Sequence, residues 1–299
     1  MRTMGRWTLA AGVTGVCLLL AGCGSRSAGK TGAGAPAGGG AAASKLYVLV
    51  PCGQVGPFFE VAKLFKAEHP EIALDWEQEN MVTMTRKVLD GKAAPDAFLS
   101  MGDLEMDQLE AGGKLEEGTR VKYAENSLAL IVPAKNPGGV KGIADLAKPS
   151  VKAIAVPDPA LNSAGKHMKE ALEKAGIWKQ VERKILLPRF AADTKEIVMQ
   201  GKVEAAVSYY PCSVEVHVPG APPNLPKEMK LVGHIGSELY SPFWAEGAVI
   251  KGARNPEGGK MLLEFLERPQ VQEIFRRWEF VREPAGVGKT ASETEGAAK

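Results

Sequence analysis

Short apolar runs alternate with amphipathic segments along the middle of the chain. Residues 46–50 form a continuous apolar run, which is typical of a strand that is buried on both faces. After a loop at 53–56, Pro57 begins a segment with apolar residues at helical spacing. The same patterns predict strands at 73–77, 96–100, 126–132, 153–156 and 205–209, and helices at 82–89, 163–175, 256–266 and from 269 onward. Strands that alternate with helices predict an α/β fold, with helices on the faces of a sheet.

The first residues of the chain combine a basic start with an apolar stretch. Arg2 and Arg6 precede apolar residues 8–20, as in a bacterial secretory signal. The motif Leu20-Ala21-Gly22-Cys23 then resembles a lipobox, in which the cysteine receives acyl chains and becomes the new N-terminus. The stretch is too short to cross a bilayer comfortably, which argues against a transmembrane helix. We expect a signal peptide at 1–22 and a lipid anchor at Cys23, on an exported protein facing the periplasm or the cell exterior.

The remaining chain has a low-complexity segment at each end. Residues 24–44 are nearly all small, so they cannot bury enough apolar surface to offset the entropy of the chain. We therefore predict a flexible tether at 23–44. The similar composition near the C-terminus predicts a disordered tail at 284–299. The folded part is then large enough for one large domain or two smaller lobes.

Charge excludes one class of partner. The chain has 37 Lys and Arg and 35 Asp and Glu, and removal of Arg2 and Arg6 with the signal makes the two numbers equal. With no net charge and no basic stripe, the sequence gives no electrostatic reason to bind nucleic acid.

Cysteine usage is more informative. The chain has four cysteines, of which Cys17 leaves with the signal and Cys23 is acylated. Cys52 and Cys212 remain in an oxidising compartment. They form a disulfide, a redox pair or a metal-binding pair.

Several segments in a shared order resemble one family. They lie at 47–65, 94–100 (APDAFLS), 123–132, 144–149, 158–174 and 255–280. In these segments the chain resembles the periplasmic molybdate- and tungstate-binding proteins of ABC importers. The resemblance implies a type II clamshell, in which two α/β lobes joined by two crossovers close on an oxyanion. Such proteins hold the anion with helix N-termini, backbone N–H groups and hydroxyls.

The resemblance also implies domain boundaries and partners. Lobe one is expected at 45–121, lobe two at 122–218, and a crossover with the second part of lobe one at 219–283. We expect a monomer without a resident cofactor, which binds a small ligand and delivers it to an ABC permease.

The family's site maps onto loops of both lobes. Lobe one would supply Cys52, Gly53, Met81, Val82, Thr83, Ser100 and Met101. Lobe two would supply Asn162, Tyr209 and Ser163, which is the predicted N-cap of the helix at 163–175. The chain departs from the family at several of these places. Gly53 stands where the family has a serine, Met81 and Val82 replace a Gly-Ser-Ser-like turn, and Cys212 follows closely on the binding tyrosine, Tyr209.

Sulfur at these places suggests a different ligand. Cys52 and Cys212, with Met81 and Met101 nearby, are soft ligands that favour Cu(I), Zn(II) or arsenite over a hard oxyanion. Methionines more often fill gaps in a core, and paired cysteines of exported proteins more often form disulfides. A bridge between the lobes, however, would lock a clamshell shut.

An enzyme is a third hypothesis. It would use an activated cysteine near His167, the only histidine expected near the cleft. The sequence has no nucleophile elbow and no nucleotide-binding glycine motif between a strand and a helix. We therefore expect a binding protein and no catalytic residues.

Overall fold

The computed structural model describes residues 44–214 and 225–282. The predicted signal peptide, the anchor Cys23, the tether as far as residue 43, the first part of the crossover expected from 219, and the tail at 284–299 lie outside the described residues. Within the two described ranges, no helix is both long enough and apolar enough to cross a membrane.

The first sheet has five strands in the order β2-β1-β3-β10-β4. Its strands are β1 (Ser44–Pro51), β2 (Ile72–Glu79), β3 (Ala97–Leu99), β4 (Val121–Glu125) and β10 (Trp244–Val249). β1 pairs in parallel with β2 and β3, whereas β10 runs antiparallel to β3 and β4. The predicted apolar run at 46–50 lies in β1, where Leu46, Val48 and Val50 are fully buried.

The second sheet has five strands in the order β7-β6-β8-β5-β9. Its strands are β5 (Leu128–Pro133), β6 (Ile154–Ala155), β7 (Ile185–Leu186), β8 (Ala205–Tyr209) and β9 (Met229–His234). β6 is parallel to β7 and β8, and β5 is antiparallel to β8 and β9. We call the first sheet with its helices lobe one and the second sheet with its helices lobe two.

Helices cover both sheets. They are α1 (Val55–Glu68), α2 (Met81–Leu89), α3 (Asp103–Ala111), α4 (Ser163–Lys174), α5 (Trp178–Val181), α6 (Ala191–Met199), α7 (Tyr210–Val214), α8 (Pro256–Leu266) and α9 (Pro269–Arg277). A 3₁₀ turn at Cys52–Gln54 leads directly into α1. The α/β fold predicted from the alternating pattern is confirmed.

Two helix starts that matter for the site carry asparagine caps. Asn80 Oδ1 accepts from the backbone N–H of Val82 at the start of α2, and Asn162 Oδ1 accepts from Ala164 at the start of α4. The prediction of Ser163 as the N-cap of α4 is wrong by one residue. The Ser163 hydroxyl instead accepts from the backbone N–H of Leu104 in α3, at 3.0 Å.

The chain crosses between the lobes twice. It passes from β4 to β5 through Asn126 and Ser127, and it returns between β9 and β10. The two crossings touch, because Asn126 N–H donates to Phe243 O at 3.1 Å.

Two strands belong to a different lobe from the one that the expected boundaries assign to them. β4 pairs with β10 in the first sheet, although lobe two was expected to begin at 122. β9 pairs with β5 in the second sheet, although lobe one was expected to resume within 219–283. These backbone pairings assign the two strands, and the other expected boundaries stay predictions.

Candidate functional site

A cavity of about 420 Å³ lies between the two lobes. Its lining comes from elements of both sheets. Lobe one contributes Cys52, Gly53, Gly56, Pro57, Asn80, Met81, Met101, Trp278 and Phe280. Lobe two contributes Asn162, Ala191, Ala192, Lys195, Ser208, Tyr209, Pro211 and Cys212. A cleft between two lobes is a common place for a small ligand to bind.

Four helices of nine or more residues begin at this cavity. Cys52 and Gly53 lie in the turn that leads into α1, and Asn80 and Met81 begin α2. From lobe two, Asn162 caps α4, and Ala191 and Ala192 begin α6. The first turn of a helix presents N–H groups that lack intrahelical partners and carries a partial positive charge. Helix N-termini that meet at one cavity therefore favour a bound anion.

The four helix starts are not equally available. The first N–H of α4, on Ser163, already donates to Glu105 Oε1 at 3.2 Å. α6 begins after Phe190, and no side chain of the described residues caps it. Ala191 and Ala192 thus present the first turn of α6 to the cavity, while α4 contributes mainly through Asn162.

The charged side chain in the cavity lining has the same sign as the partial charge of the helix N-termini. Lys195, one turn into α6, is a cation on the cavity wall, and its Nζ donates to Cys212 O at 3.0 Å. Among the described residues that line the cavity there is no Asp or Glu. The described lining therefore carries one lysine and no carboxylate.

Sulfur atoms from both lobes meet over Gly53. Cys52, Met81 and Met101 line the cavity from lobe one, and Cys212 lines it from lobe two. A Cβ atom at position 53 would lie 2.6 Å from Cys212 Sγ and 3.1 Å from Met101 Sδ. A side chain at this position would require Cys212 Sγ, and to a smaller extent the end of Met101, to move.

Both cysteines are free thiols in this structure. Burial raises the pKa of Cys52, although the backbone N–H groups of Cys52 and Gly53 oppose the shift. Burial, followed by the nearby Cys52, raises the pKa of Cys212 to about 12. Both thiols are therefore protonated at neutral pH. Across the described part of the chain, no group of three or more His, Cys, Asp or Glu side chains could hold a metal ion.

A second contact between the lobes is charged. We call it the α3–α4 contact; it consists of Asp103 and Glu105 of α3 with Ser163, Lys166 and His167 of α4. The Asp103 carboxylate lies 2.5 Å from Lys166 Nζ and 3.1 Å from His167 Nε2. The buried Glu105 carboxyl accepts from the hydroxyl of Ser163.

The two carboxyls of the α3–α4 contact have opposite pKa shifts. Burial alone would raise the pKa of Asp103, but hydrogen bonds from His167 and Lys166 together hold that pKa well below its usual range. Burial raises the pKa of Glu105, and the hydrogen bond from Ser163 opposes the shift only in part. Asp103 is therefore held as an anion by the Lys166 ammonium and by its hydrogen bond with His167.

Comparison with known proteins identifies the family. The sequence profile of the family described as "bacterial extracellular solute-binding protein" matches residues 46–281, which is more than half of the chain. The chain belongs to this family.

Named relatives of this solute-binding protein are molybdate-binding proteins. It is 26% identical over 170 residues to the molybdate-binding protein ModA of Mycobacterium tuberculosis H37Rv. The match covers 56% of this chain and 63% of the relative, so the chain spans less than two thirds of that relative's length. It is 24% identical over 243 residues to ModA of Escherichia coli K12, covering 79% of this chain and 88% of the relative.

A solved structure extends the comparison to the fold. The periplasmic molybdate-binding protein of Azotobacter vinelandii aligns with a TM-score of 0.63 at 16% identity, covering 79% of this chain and 98% of that one. This likeness establishes the fold of the solute-binding protein as the type II clamshell, two α/β lobes joined by two crossings.

The structure brings most of the predicted site residues together. Those that line the cavity of the solute-binding protein are Cys52, Gly53, Met81, Met101, Asn162, Tyr209 and Cys212. Tyr209 is buried, and its hydroxyl donates to Asn162 Oδ1 at 3.2 Å and accepts from the N–H of Ala164 at 3.3 Å. Burial raises the pKa of Tyr209 well above its usual value, so the phenol stays neutral.

Four predicted residues lie elsewhere. Thr83 does not line the cavity, and Val82 lines a separate groove that also contains Arg86 and Arg189. The Ser100 hydroxyl is buried and donates to Gly102 O at 2.7 Å. Ser163 belongs to the α3–α4 contact. The two serine hydroxyls thus have partners within the protein, and a role for these four residues in ligand binding stays a prediction.

Sequence reasoning did not identify Lys195, Ala191 or Ala192. The helix α6 that carries them was not predicted. The signal that could have found it is the pair Ala191 and Lys195, four residues apart and therefore on one helix face. His167 was placed near the cleft, but it stacks on Phe243 with ring centroids 4.3 Å apart and does not line the cavity. The cysteine-dependent enzyme hypothesis thus has no histidine among the described cavity residues.

Proposed function

We propose that this solute-binding protein receives an oxyanion of the molybdate or tungstate kind in the cavity between its lobes. It then delivers the oxyanion to the permease of an ABC importer. The observation that carries the proposal is the convergence of helix N-termini and Lys195 on a cavity in which the described lining contains no carboxylate. The names of the relatives support the same class of solute.

The distribution of the anion-binding groups links binding to closure. α1 and α2 belong to lobe one, while α6 and Lys195 belong to lobe two. An anion placed between them is attracted to both lobes only when the cleft is closed. Because a ligand shifts a conformational equilibrium by its difference in affinity for the two states, the anion stabilises the closed form.

A second part of the proposal concerns the cellular location of the protein. We propose that the protein is exported, is anchored to the membrane by acylation of Cys23, and acts as a monomer. The family's extracellular character supports export. Labelling of cells with an alkyne-bearing fatty acid should mark the protein, and Cys23→Ala should abolish the label. A label that persists in Cys23→Ala would contradict the anchor.

Binding is tested by isothermal titration of the purified chain with molybdate, tungstate, sulfate and phosphate. We expect molybdate or tungstate to bind and to raise the melting temperature. Lys195→Met should weaken that binding by about 10-fold to 100-fold, since it removes a charged hydrogen-bond donor.

Lys169→Met is the matched control. Lys169 lies on α4 over the ring of Trp178, 5.4 Å from its centroid, and does not line the cavity. Its substitution should leave oxyanion affinity unchanged. The proposal is wrong if none of the four oxyanions binds, or if both lysine variants bind as the parent does.

A further inference from the structure

The proposed binding of an oxyanion does not use the sulfur atoms that line the cavity. Helix N-termini and Lys195 suffice to hold an oxyanion, and none of them requires cysteine. Nevertheless two thiols and two thioethers line the same cavity, and Gly53 leaves the space that Cys212 Sγ and Met101 Sδ occupy. The solute that fits this lining has a soft central atom as well as oxygen atoms.

We propose that this cavity also accepts an oxyacid of trivalent arsenic or antimony, whose central atom bonds to the sulfur atoms of Cys52 and Cys212. This inference rests on the proposed function only in taking the cavity as the solute site. The oxygen that remains on the arsenic or antimony faces the helix N-termini. Met81 and Met101 surround the soft centre with polarisable thioethers.

The bonding step is balanced without an oxidant or a reductant. Arsenous acid has three hydroxyl groups on arsenic. Two As–O bonds break and two As–S bonds form, and each thiol proton leaves with a hydroxyl group as water. Arsenic stays trivalent, and one hydroxyl group remains on it.

The protonation state of the thiols favours this chemistry over a metal cation. Both cysteines have raised pKa values and are neutral thiols at neutral pH. Arsenous acid is also uncharged at neutral pH, and it takes up the thiol protons in the water that it releases. A Cu(I) or Zn(II) ion would require the loss of both thiol protons, which the raised pKa values oppose. For Zn(II), the described lining also offers no histidine or carboxylate to complete four ligands.

The position of the two thiols adds a conformational consequence. Cys52 lies in the 3₁₀ turn before α1 in lobe one, and Cys212 lies in α7, which directly follows β8 of lobe two. A centre bonded to both sulfur atoms joins the lobes covalently, so it binds only to the closed form. Loss of either thiol should therefore remove most of the affinity, because the second bond is intramolecular.

The experiment uses the full chain with Cys17→Ser and Cys23→Ser as the parent, so that Cys52 and Cys212 are its only thiols. Cys52→Ser, Cys212→Ser and the double variant are made in that parent. Each anaerobic, reduced protein is titrated with sodium arsenite and, separately, with sodium molybdate. The readouts are binding affinity, melting temperature and the number of thiols that react with a chromogenic disulfide.

We expect arsenite to raise the melting temperature of the parent and to protect both thiols, with reversal by a small dithiol. Either single cysteine variant should bind arsenite at least about 100-fold more weakly. Met84→Leu is the control for a change of sulfur away from the cavity, because Met84 of α2 is buried and does not line the cavity; this variant should keep both arsenite-protected thiols. Molybdate should bind the double cysteine variant as it binds the parent.

The outcomes separate this inference from the proposed function. If molybdate binds but arsenite neither protects the thiols nor stabilises the parent, the inference is wrong and the oxyanion receptor stands. If arsenite binds and molybdate does not, the inference holds and the molybdate proposal is wrong. If Cu(I) or Zn(II) protects both thiols at concentrations at which arsenite does not, the inference is overturned in favour of a metal site.

Discussion

The two regions that join the lobes, the cavity and the α3–α4 contact, are built from opposite chemistry. The cavity offers helix N-termini, neutral thiols and Lys195, and the described residues on its wall include no carboxylate. In the α3–α4 contact, the Asp103 carboxylate holds Lys166 and His167 directly, and the Glu105 carboxyl is buried against Ser163. The two regions therefore have different roles. Charge pairs between the protein's own residues join the lobes at the α3–α4 contact, while the described lining of the cavity has no carboxylate to compete with an anion.

The separation also protects the solute site. A carboxylate on the cavity wall would repel an anion and would occupy helix N-terminal N–H groups. Glu105 does occupy one such group, the N–H of Ser163, but it does so from the side of α3 and does not line the cavity. The carboxylates thus contribute to closure without lowering the affinity of the other helix starts.

The largest effect is expected when the space over Gly53 is filled. In Gly53→Val, the new Cβ would lie 2.6 Å from Cys212 Sγ, so the cleft cannot close as it does here. We expect loss of solute binding and a decrease of about 1–3 kcal/mol in the free energy of unfolding, as for other overpacked sites. Urea denaturation and isothermal titration measure the two effects.

The matched control for Gly53→Val is the pair Gly53→Ala with Cys212→Ala. Removal of the Cys212 sulfur relieves the closest contact and leaves the 3.1 Å approach to Met101, whose flexible end can shift. This double variant should therefore unfold at nearly the urea concentration of Cys212→Ala alone. If Gly53→Val is as stable as the parent and still binds the solute, the thiol does not constrain this position in solution.

A smaller effect is expected at the α3–α4 contact. Asp103→Asn removes the negative charge that pairs with Lys166 and His167, while it keeps the shape of the side chain. We expect a loss of about 1–2 kcal/mol in the free energy of unfolding, because the pairs are partly shielded from solvent. The loss is measured by urea denaturation, and a double-mutant cycle with Lys166→Met isolates the pair.

Asp90→Asn serves as the surface control for Asp103→Asn. Asp90 pairs with Lys92 at 3.1 Å, but the lysine side chain is 72% exposed. Its substitution should change stability little. Equal losses at the two positions would mean that the α3–α4 contact has no special role in joining the lobes.

The smallest effect is a dependence of stability on pH. Burial alone would raise the pKa of Glu170, but bonds from the Ser241 N–H, Lys174 and the Ser241 hydroxyl lower it to about 2, and the pKa of Asp103 is also lowered. A folded pKa below the unfolded value gives stability that is present above about pH 4 and is lost as pH falls through the folded pKa.

Urea denaturation between pH 7 and pH 2 measures this dependence. Stability should decrease below about pH 4, and Asp103→Asn should show a smaller decrease than the parent. The raised pKa of Glu105 acts in the opposite direction, since protonation relieves the cost of burying its charge. A variant that loses stability over the same range and to the same extent as the parent would exclude Asp103 as a source of the decrease.

The sequence predicted the features that depend on local pattern. The run at 46–50 and the spacing after Pro57 correspond to β1 and α1, although α1 begins two residues earlier, at Val55. A continuous apolar run and a helix-starting proline are properties of neighbouring residues. The cavity positions of Cys52, Gly53 and Tyr209 were reached only through the family resemblance.

Features that depend on distant residues were not predictable in the same way. Ser100 and Ser163 have the hydroxyls that an oxyanion site needs, but each donates to a residue far along the chain, Glu246 O for Ser100 and the Glu105 carboxyl for Ser163. The sheet membership of β4 and β9 depends on antiparallel pairing with β10 and β5, which no local pattern specifies. Lys195 reaches the cavity only because α6 packs beside β8.

The link at Asn126 determines the geometry of opening. Asn126 and Ser127 are the only residues between β4 and β5, and the hydrogen bond from Asn126 to Phe243 ties the two crossings together. We expect the lobes to move about a single axis through this link. The displacement of any atom then equals the angle of rotation multiplied by its distance from the axis. The cleft opens as a wedge, so a few degrees at Asn126 produce the widest gap at the outer rim, through which the solute enters and leaves.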